Sequence, residues 1–370
     1  MEVTITELPV SAQTAYAQLF EATLNAEHFR TVADLNGSFN AKTVKGRKYW
    51  YFQYREASGA HRQVYVGPDN DQVRQLLRKT EKPGLSQGLQ ALARAAASLG
   101  CTAVARKHGR VLRRLAEYGF FKAGGLLIGT HAFVTYGNAL GVRWGSQDLT
   151  QDIDFARAGK ALSLGLPSNL AVQTSDAIES LGTGFLPIAG LTGKTGGGFL
   201  NPQDPDFRLD FLTPLHRGGD DPFVHPQLNV ALQPLPFMEF SLENVEQAVV
   251  FSTEHIVLVN VADPARFALH KLIVQGERRG AFRLKAAKDV AQAAHLLAWL
   301  WPNRQAAVRE ALEDLRSRGK GWTTRFERGV AALYKAYPRL AEDTTLRDAL
   351  TSKRRSRSTP RRGTRSKPQS

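Results

Sequence analysis

The sequence predicts an α/β (α+β) protein in which a small mixed sheet is flanked by helices. A helix and a three-stranded β-meander precede this sheet, and a helical domain follows it. Three patterns predict this arrangement. Apolar and polar residues alternate through residues 207–212, as in a half-buried strand, and apolar residues recur at helical spacing through residues 285–301. Residues 49–54 are dense in β-formers, and a turn signal at residues 57–60 folds the chain back into residues 62–66.

The first predicted domain, residues 1–80, combines the helix and the meander. Tyr16, Leu19 and Leu24 recur at helical spacing within residues 1–35, and the meander strands are predicted at residues 38–44, 49–54 and 62–66. Basic residues interleave with aromatic residues here, which suits a face that binds RNA or DNA by phosphate contact and base stacking. The alternative is an appendage whose aromatic residues pack on the following helices. The candidate nucleic-acid-binding residues are Lys45, Arg47, Lys48, Arg55 and Arg62.

The second predicted domain, residues 81–262, contains the candidate catalytic site. Residues 126–128 predict a buried strand, and Gly129 and Thr130 predict a tight turn into a helix. A second strand carries Asp152 and Asp154. Side chains at i and i+2 of a strand share a face, so these carboxylates point the same way, roughly 7 Å apart at Cα. A divalent metal with oxygen ligands is the usual relief for two such like charges.

A third carboxylate, Asp210, follows the same pattern. It lies on the face of its strand opposite to Leu209 and Phe211. Three carboxylates from two neighbouring strands can hold two Mg²⁺ (or Mn²⁺) ions about 3.5–4 Å apart, as in in-line nucleotidyl transfer. We therefore expect Asp152, Asp154 and Asp210 to be the metal ligands and the catalytic residues.

The turn and the two acidic strands resemble the DNA polymerase beta-like nucleotidyltransferase superfamily. Its pattern is a Gly-Gly or Gly-Ser turn after a strand, Asp-x-Asp on the next strand and a single Asp on a later strand. Residues 127–133 and 150–156 look like a bacterial nucleotidyltransferase-fold family, similar in outline to the AbiEii-type toxin nucleotidyltransferases. The resemblance covers residues 85–300. The chain differs in having Thr130 after Gly129 and in the longer spacing to Asp152, which predicts an inserted loop at residues 141–149.

This resemblance implies transfer of a nucleoside monophosphate from an NTP such as ATP to an acceptor hydroxyl, with release of pyrophosphate. Asp152 and Asp154 would bind both metals, and Asp210 would complete the metal site at the attacking hydroxyl. Gly129 and Thr130 would offer amides and a hydroxyl to the phosphates at a helix N-terminus. The acceptor stays open between RNA, protein and a small molecule.

Two other classes of function stay open from the sequence. One is a non-catalytic nucleic-acid-binding protein with a degenerate nucleotidyltransferase fold. The other is a glycosyltransferase, whose Asp-x-Asp would hold a nucleotide-sugar through a metal.

The glycine-rich residues 190–198 imitate a phosphate-binding loop. They contain Gly193, Lys194 and Thr195, but the loop pattern requires glycine at position 188, where the chain has Ile188. We therefore expect a hairpin or lid.

The third predicted domain, residues 263–346, is helical. Asp263 can cap its first helix, and Pro264 suits the first helical position. Five cations of this domain could face the catalytic strands and neutralise a triphosphate: Lys271, Arg278, Arg279, Lys285 and Lys288. Related nucleotidyltransferases supply such cations from a helical C-terminal domain, and the resemblance implies phosphate binding by Lys271 and Lys288. The alternative for each lysine is a solvated basic face.

A basic tail, residues 347–370, is predicted to be disordered. The chain has a net charge of +15, and residues 351–370 contain eight Lys or Arg and no acidic residue, which leaves +7 for the rest. Such arms bind phosphate backbones without sequence preference, and Arg354 and Arg355 are candidates for this contact. A terminus that only adds solubility is the alternative.

The composition favours a reduced, cytoplasmic location. No apolar run of about 18 residues predicts a membrane span, and the first residues show no secretory pattern. The one cysteine, Cys101, excludes an intrachain disulfide and a cysteine zinc cluster, and it ends an apolar helical segment, as a core residue would. The oligomeric state is left open.

Overall fold

The computed structural model describes residues 1–28, 37–44, 46–55, 61–80, 84–145, 151–157, 172–189, 195–215, 219–277 and 283–352. It confirms the mixed α/β architecture that the sequence predicts. The first elements are β1 (Ile5–Glu7), α1 (Val10–His28), the meander strands β2 (Gly37–Val44), β3 (Arg47–Arg55) and β4 (His61–Pro68), α2 (Asp71–Thr80), α3 (Gly84–Leu99) and α4 (Arg106–Glu117).

The central part of the chain alternates strands with short helices. Its elements are β5 (Gly125–Ile128), α5 (Gly129–Ala139), β6 (Val142–Trp144), β7 (Ile153–Arg157), α6 (Thr174–Glu179), β8 (Leu186–Ala189), β9 (Thr195–Asn201), β10 (Asp204–Pro214), β11 (Phe223–His225), β12 (Val230–Leu235), α7 (Met238–Leu242), β13 (Val245–Phe251) and β14 (Ile256–Ala262).

The C-terminal part is helical, as predicted. It contains α8 (Pro264–Glu277), α9 (Arg283–Asn303), α10 (Gln305–Ser317), α11 (Lys320–Ala336), a 3₁₀ turn (Pro338–Ala341) and α12 (Thr344–Thr351). The predicted cap of α8 is present, because Asp263 Oδ1 accepts a hydrogen bond of 2.8 Å from the Arg266 amide.

Strand β10 is the centre of the main sheet. It runs parallel to β7 and β12 and antiparallel to β9, while β5 pairs antiparallel with β7. Alternate residues of β7 and β10 are fully buried on one face, and the rings of Phe155 and Phe211 stack there at 5.0 Å between centroids. This apolar face fixes the register, because a slip by one residue would move every buried side chain to the other face.

The predicted insertion contains a strand that pairs with the first strand of the chain. Strand β6 pairs antiparallel with β1, and Ile5 lies opposite Trp144. Trp144 is buried and stacks on Phe133 with 5.1 Å between ring centroids. Residues 146–150 lie outside the described residues.

Helix α1 packs on the central part of the chain. Its buried residues share a core with α3 and the β13–β14 hairpin, and Tyr16 Oη donates a hydrogen bond of 3.0 Å to the Val249 carbonyl. The predicted boundary at residue 80 therefore does not separate this helix from the central domain. A larger cluster of contacting buried residues includes members from Val104 to Leu350. The sheet and the C-terminal helices therefore share one core. Residues 347–351 belong to α12, where Ala349 and Leu350 are buried, so the predicted tail does not begin at residue 347. The other domain limits stay predictions.

Cys101 is buried, as predicted, and burial raises the pKa of its thiol. It is a core residue in this fold. Among the described residues, no helix has the length and apolar character needed to span a membrane.

Candidate active site

Asp154 and Asp210 are direct neighbours on the parallel strands β7 and β10, where they are register partners. Neighbouring strands lie about 4.8 Å apart, so the two carboxylates emerge side by side on one face of the sheet. Both residues are half-buried, while the flanking Leu209 and Phe211 are fully buried. The predicted alternation of β10 is therefore present. Asp152 lies one residue before β7 begins.

Gly129 brings the helix start of α5 against Asp154. Its φ of +66° lies in the left-handed region, and a Cβ at this position would overlap the Asp154 carboxylate at Oδ2. Only glycine meets both requirements. Helix α5 begins at Gly129 and has no side-chain N-cap. Because Gly129 lies against Asp154, the first turn of α5 starts beside this carboxylate.

The glycine-rich segment forms one wall of the site. Gly196, Gly197 and Gly198 lie in β9, which pairs with β10 and places Gly198 opposite Asp210. A Cβ at Gly198 would lie 3.0 Å from Asp210 Oδ1, and one at Gly197 would overlap the Phe211 carbonyl. The sequence predicts a hairpin or lid here. The structure shows a hairpin of β8 and β9, and residues 190–194 lie outside the described residues.

The three carboxylates repel one another. Burial, followed by the charges of Asp210 and Asp152, raises the pKa of Asp154 to about 6, although Lys271 and Lys285 oppose this rise. The pKa of Asp210 is also raised by burial and by Asp152, while Arg208 and Lys285 lower it. Burial is thus the main reason that ionisation of Asp154 and Asp210 is disfavoured, and the neighbouring carboxylates add to it.

The donor chemistry of this site fits a divalent cation. Carboxylate oxygens are the ligands that Mg²⁺ prefers, and Asp154 and Asp210 are neighbouring carboxylates whose pKa values burial raises. Within the described residues, no three His, Cys, Asp or Glu side chains are close enough together to hold a metal ion. The register-paired Asp154 and Asp210 are thus the closest structural match to the predicted ligand set, and the role of Asp152 stays a prediction.

A polar row on α9 faces the start of α5. Gln292 is buried and donates from Nε2 to Thr130 Oγ1 at 3.4 Å. One turn earlier, the buried Asp289 accepts a hydrogen bond of 2.9 Å from Lys271 Nζ on α8. The row has helical i, i+3, i+4 and i+7 spacing. Its members are Lys285, Lys288, Asp289 and Gln292.

Both predicted phosphate-binding lysines come from the helices beside the site. The charge of Lys271 lowers the pKa of Asp154, and that of Lys288 acts on the buried His131 next to Thr130. Lys271 is held by Asp289, whereas Lys285 is exposed and acts on both Asp154 and Asp210. The sequence already names Lys285 among the cations that could face the catalytic strands, and its charge lowers the pKa of both acidic residues. Arg278 and Arg279 lie outside the described residues.

A buried histidine pair supports the same region. His131 Nε2 and His108 Nδ1 are 2.9 Å apart, and burial lowers the pKa values of His131 to about 3 and of His108 to about 4. Both rings are therefore neutral at physiological pH, and they face the backbone of Gln151 and Asp152. No sequence motif points to this pair, because His108 lies on α4 and His131 on α5.

Among the described residues, the backbones of the predicted nucleic-acid-binding residues lie at two opposite ends of the meander. Arg47 and Lys48 are exposed at the start of β3, and Lys48 Nζ lies 4.7 Å from the Trp50 ring centroid. The backbones of Arg55 and Arg62 lie at the opposite end of the meander, about 26 Å away by the strand rise. The remaining candidates lie outside the described residues; they are Lys45, Arg354 and Arg355.

The structure sets Asp154 and Asp210 of a mixed sheet beside the glycine turn at the start of α5, in the arrangement that the resemblance to nucleotidyltransferases implies. A family described as nucleotidyltransferase matches residues 106–317, more than half of the 370 residues, and the chain belongs to this family. No curated protein matches the sequence. One solved structure, an antigenic nucleotidyltransferase-like protein from Paracoccidioides brasiliensis, is similar at 12% identity and a TM-score of 0.32. The alignment covers 68% of this chain and 96% of that one.

Proposed function

We propose that the protein transfers a nucleoside monophosphate from an NTP to an acceptor hydroxyl and releases pyrophosphate. The observation that carries this proposal is the pair Asp154 and Asp210, set side by side on β7 and β10 against the glycine turn of α5. Family membership supports the class of reaction. The incubation described below identifies the acceptor, the base of the nucleotide and the metal.

The chain's own residues would bind and orient the reactants. Asp154 and Asp210 would hold Mg²⁺, and we propose Asp152 as the third ligand that the sequence pattern predicts. Bound Mg²⁺ would stabilise charge on the transferred phosphoryl group and lower the pKa of the acceptor hydroxyl. Gly129 and Thr130 would bind the terminal phosphates through the free amides at the start of α5.

Cations on α9 would neutralise the triphosphate. Lys285 and Lys288 lie on the row that faces the site, and Asp289 would orient Lys271 toward Asp154. The acceptor oxygen would form a bond to the α-phosphorus while the bond to pyrophosphate breaks, and the acceptor proton would pass to solvent. Positioning and charge neutralisation would supply most of the rate enhancement.

The test is incubation of the full chain with each α-labelled NTP, Mg²⁺ or Mn²⁺, and total RNA or cell lysate. A labelled macromolecule or small molecule, together with pyrophosphate, is the expected result. Asp154→Asn and Asp210→Asn should abolish the labelling. Asp204→Asn is the matched control, because Asp204 lies on the same strand β10 but pairs with Lys107 at 2.6 Å.

Three outcomes would contradict the proposal. Labelling that survives Asp210→Asn would place the chemistry elsewhere. Absence of product with every NTP would favour the non-catalytic alternative. Turnover of a UDP-sugar with Mn²⁺, without turnover of an NTP, would favour a glycosyltransferase.

A further inference from the structure

One side of the meander carries three tyrosines on adjacent strands. Tyr51 of β3 is the register partner of Tyr65 on β4, and their ring centroids are 5.5 Å apart. Tyr49 lies 6.2 Å from the same Tyr65 ring. Residues i and i+2 of a strand share a face, so Tyr49 and Tyr51 point the same way. We call the surface formed by Tyr49, Tyr51 and Tyr65 the tyrosine face.

Helix α2 covers the opposite side of the meander. Phe52, Val73 and Leu77 are buried, and the Trp50 indole donates a hydrogen bond of 3.0 Å to Asp69 at the start of α2. The meander therefore already has its own small core. Tyr65 lies away from this core and is 54% exposed. Packing against α2 does not explain why large aromatic residues occupy the other side.

The charged side chains on the tyrosine face are cationic. Strands β2, β3 and β4 contain no Asp or Glu. Lys42 Nζ lies 5.2 Å from the Tyr51 ring centroid and donates to Gln63 Oε1 at 2.7 Å. By strand alternation, the exposed Arg47 shares this side with Tyr49. The acidic Asp69 lies on the other side, with α2.

We propose that the tyrosine face is a binding site for single-stranded nucleic acid, separate from the site of nucleotidyl transfer. Tyr51 and Tyr65 would stack on two successive bases, Tyr49 would extend this platform, and Lys42 and Arg47 would contact phosphates. Stacking requires bases with free faces, which single strands offer and duplexes do not. A cationic surface of tyrosines with amide side chains matches this ligand in charge and in hydrogen bonding.

The test measures fluorescence anisotropy of labelled oligonucleotides of mixed sequence, as single-stranded RNA, single-stranded DNA and duplex DNA, with the full chain. The double variant Tyr51→Ala/Tyr65→Ala should bind single strands about tenfold more weakly or worse, since stacking on aromatic rings is lost. The double variant Tyr51→Phe/Tyr65→Phe should bind within about twofold of the parent protein, because stacking needs the ring. Circular dichroism and thermal melting show that each variant is folded.

A charge-matched pair isolates the phosphate contact. Lys42→Ala should flatten the salt dependence of binding by about 0.7 in logarithmic slope, whereas Lys335→Ala, at an exposed site on α11, should leave it unchanged. Comparing the RNA and DNA arms shows whether the sugar matters.

Equal affinity of the alanine and phenylalanine double variants would overturn this proposal. Duplex binding as tight as single-strand binding would also overturn it. Neither result bears on nucleotidyl transfer, which is measured without these oligonucleotides.

Discussion

The central sheet and the meander are both sheets with an aromatic core on one face, but their second faces differ. In the central sheet, β9, α5 and α9 surround Asp154 and Asp210, and burial raises the pKa values of both carboxyls. In the meander, the second face presents Tyr65 and Lys42 to solvent. Partial burial strengthens electrostatic interactions, as phosphoryl transfer requires, whereas an exposed aromatic surface suits binding of an extended ligand.

The two sheets also differ in their relation to the family. The nucleotidyltransferase match at residues 106–317 includes every element of the candidate site from α5 to α9. It does not include the meander, which ends at Pro68. Transfer chemistry and nucleic-acid binding are therefore separate hypotheses, and each can fail without the other.

The largest expected effects come from the three aspartates. Asp210→Asn should lower turnover by about 100-fold or more, while NTP with Mg²⁺ still binds within about threefold, because the lost interaction acts in the transition state. Asp152→Asn and Asp154→Asn should weaken both nucleotide binding and turnover. A nucleotide titration beside an activity assay on the three variants measures both quantities. Near-normal turnover of Asp210→Asn would refute the two-metal hypothesis.

The next effect comes from two glycines with similar backbone angles. Gly129 and Gly182 have φ values of +66° and +62°, but a Cβ at Gly182 has no atom within 4 Å, whereas one at Gly129 overlaps Asp154. Gly182→Ala should cost about 1 kcal/mol of unfolding free energy through backbone strain alone. Gly129→Ala should cost more and should also reduce turnover. Equal melting temperatures for the two variants would show that the close approach to Asp154 is unimportant.

A third effect is the stability of the central sheet as a function of pH. The pKa of Asp154 is 3.8 in the unfolded chain and about 6 in the folded protein, so stability is full below pH 3.8 and is lost as pH rises through about 6. Without metal, Asp154→Asn should raise the unfolding free energy at neutral pH by up to about 3 kcal/mol. Denaturant titrations of both proteins, with a chelator present to remove metal ions, measure this gain in unfolding free energy. The gain should disappear near pH 3.8. A variant that is less stable at neutral pH would contradict this prediction.

The meander should show the opposite sign. Hydrogen bonds from Arg74 and then from Trp50 lower the pKa of Asp69 to about 2. This carboxylate therefore contributes stability above pH 3.8 that is lost as pH falls through about 2. Asp69→Asn should lower the melting temperature at neutral pH, and the same scan near pH 2 should show little difference from the parent protein. An increase in melting temperature at neutral pH would reverse the comparison.

The smallest expected effect concerns the basic tail. Residues 353–370 lie outside the described residues, and they carry the eight cations found after residue 350. Their deletion should weaken binding of all nucleic-acid sequences about equally and flatten its salt dependence. Anisotropy titrations at several salt concentrations test this expectation. Unchanged affinity at low salt would leave binding to the tyrosine face as the main contribution.

Local patterns in the sequence were sufficient to predict the elements of the site. The alternation around Asp210 predicts the strand and the face on which its carboxylate lies, because the strand period of two is a property of the backbone. The pair Gly129 and Thr130 predicts a turn into a helix for a similar reason. Asp263 predicts the start of α8, since a side-chain cap acts on amides within three residues.

Contacts between distant segments were decided only by the tertiary structure. The register that pairs Asp154 with Asp210 depends on the apolar packing of Phe155 against Phe211, and no local pattern encodes that register. The site wall at Gly198 and the contact from Gln292 to Thr130 likewise join segments far apart in the chain.

The sequence by itself thus determined the strands and turns on which the candidate site residues lie, because residue type, spacing and turn signals are local properties. The tertiary structure alone decided which of them share an environment. It paired Lys271 with the buried Asp289, brought the charge of Lys285 close enough to act on Asp154 and Asp210, and left Tyr65 54% exposed. The physical reason is that burial and electrostatic coupling depend on distances between elements, and only the packing of the whole chain sets those distances.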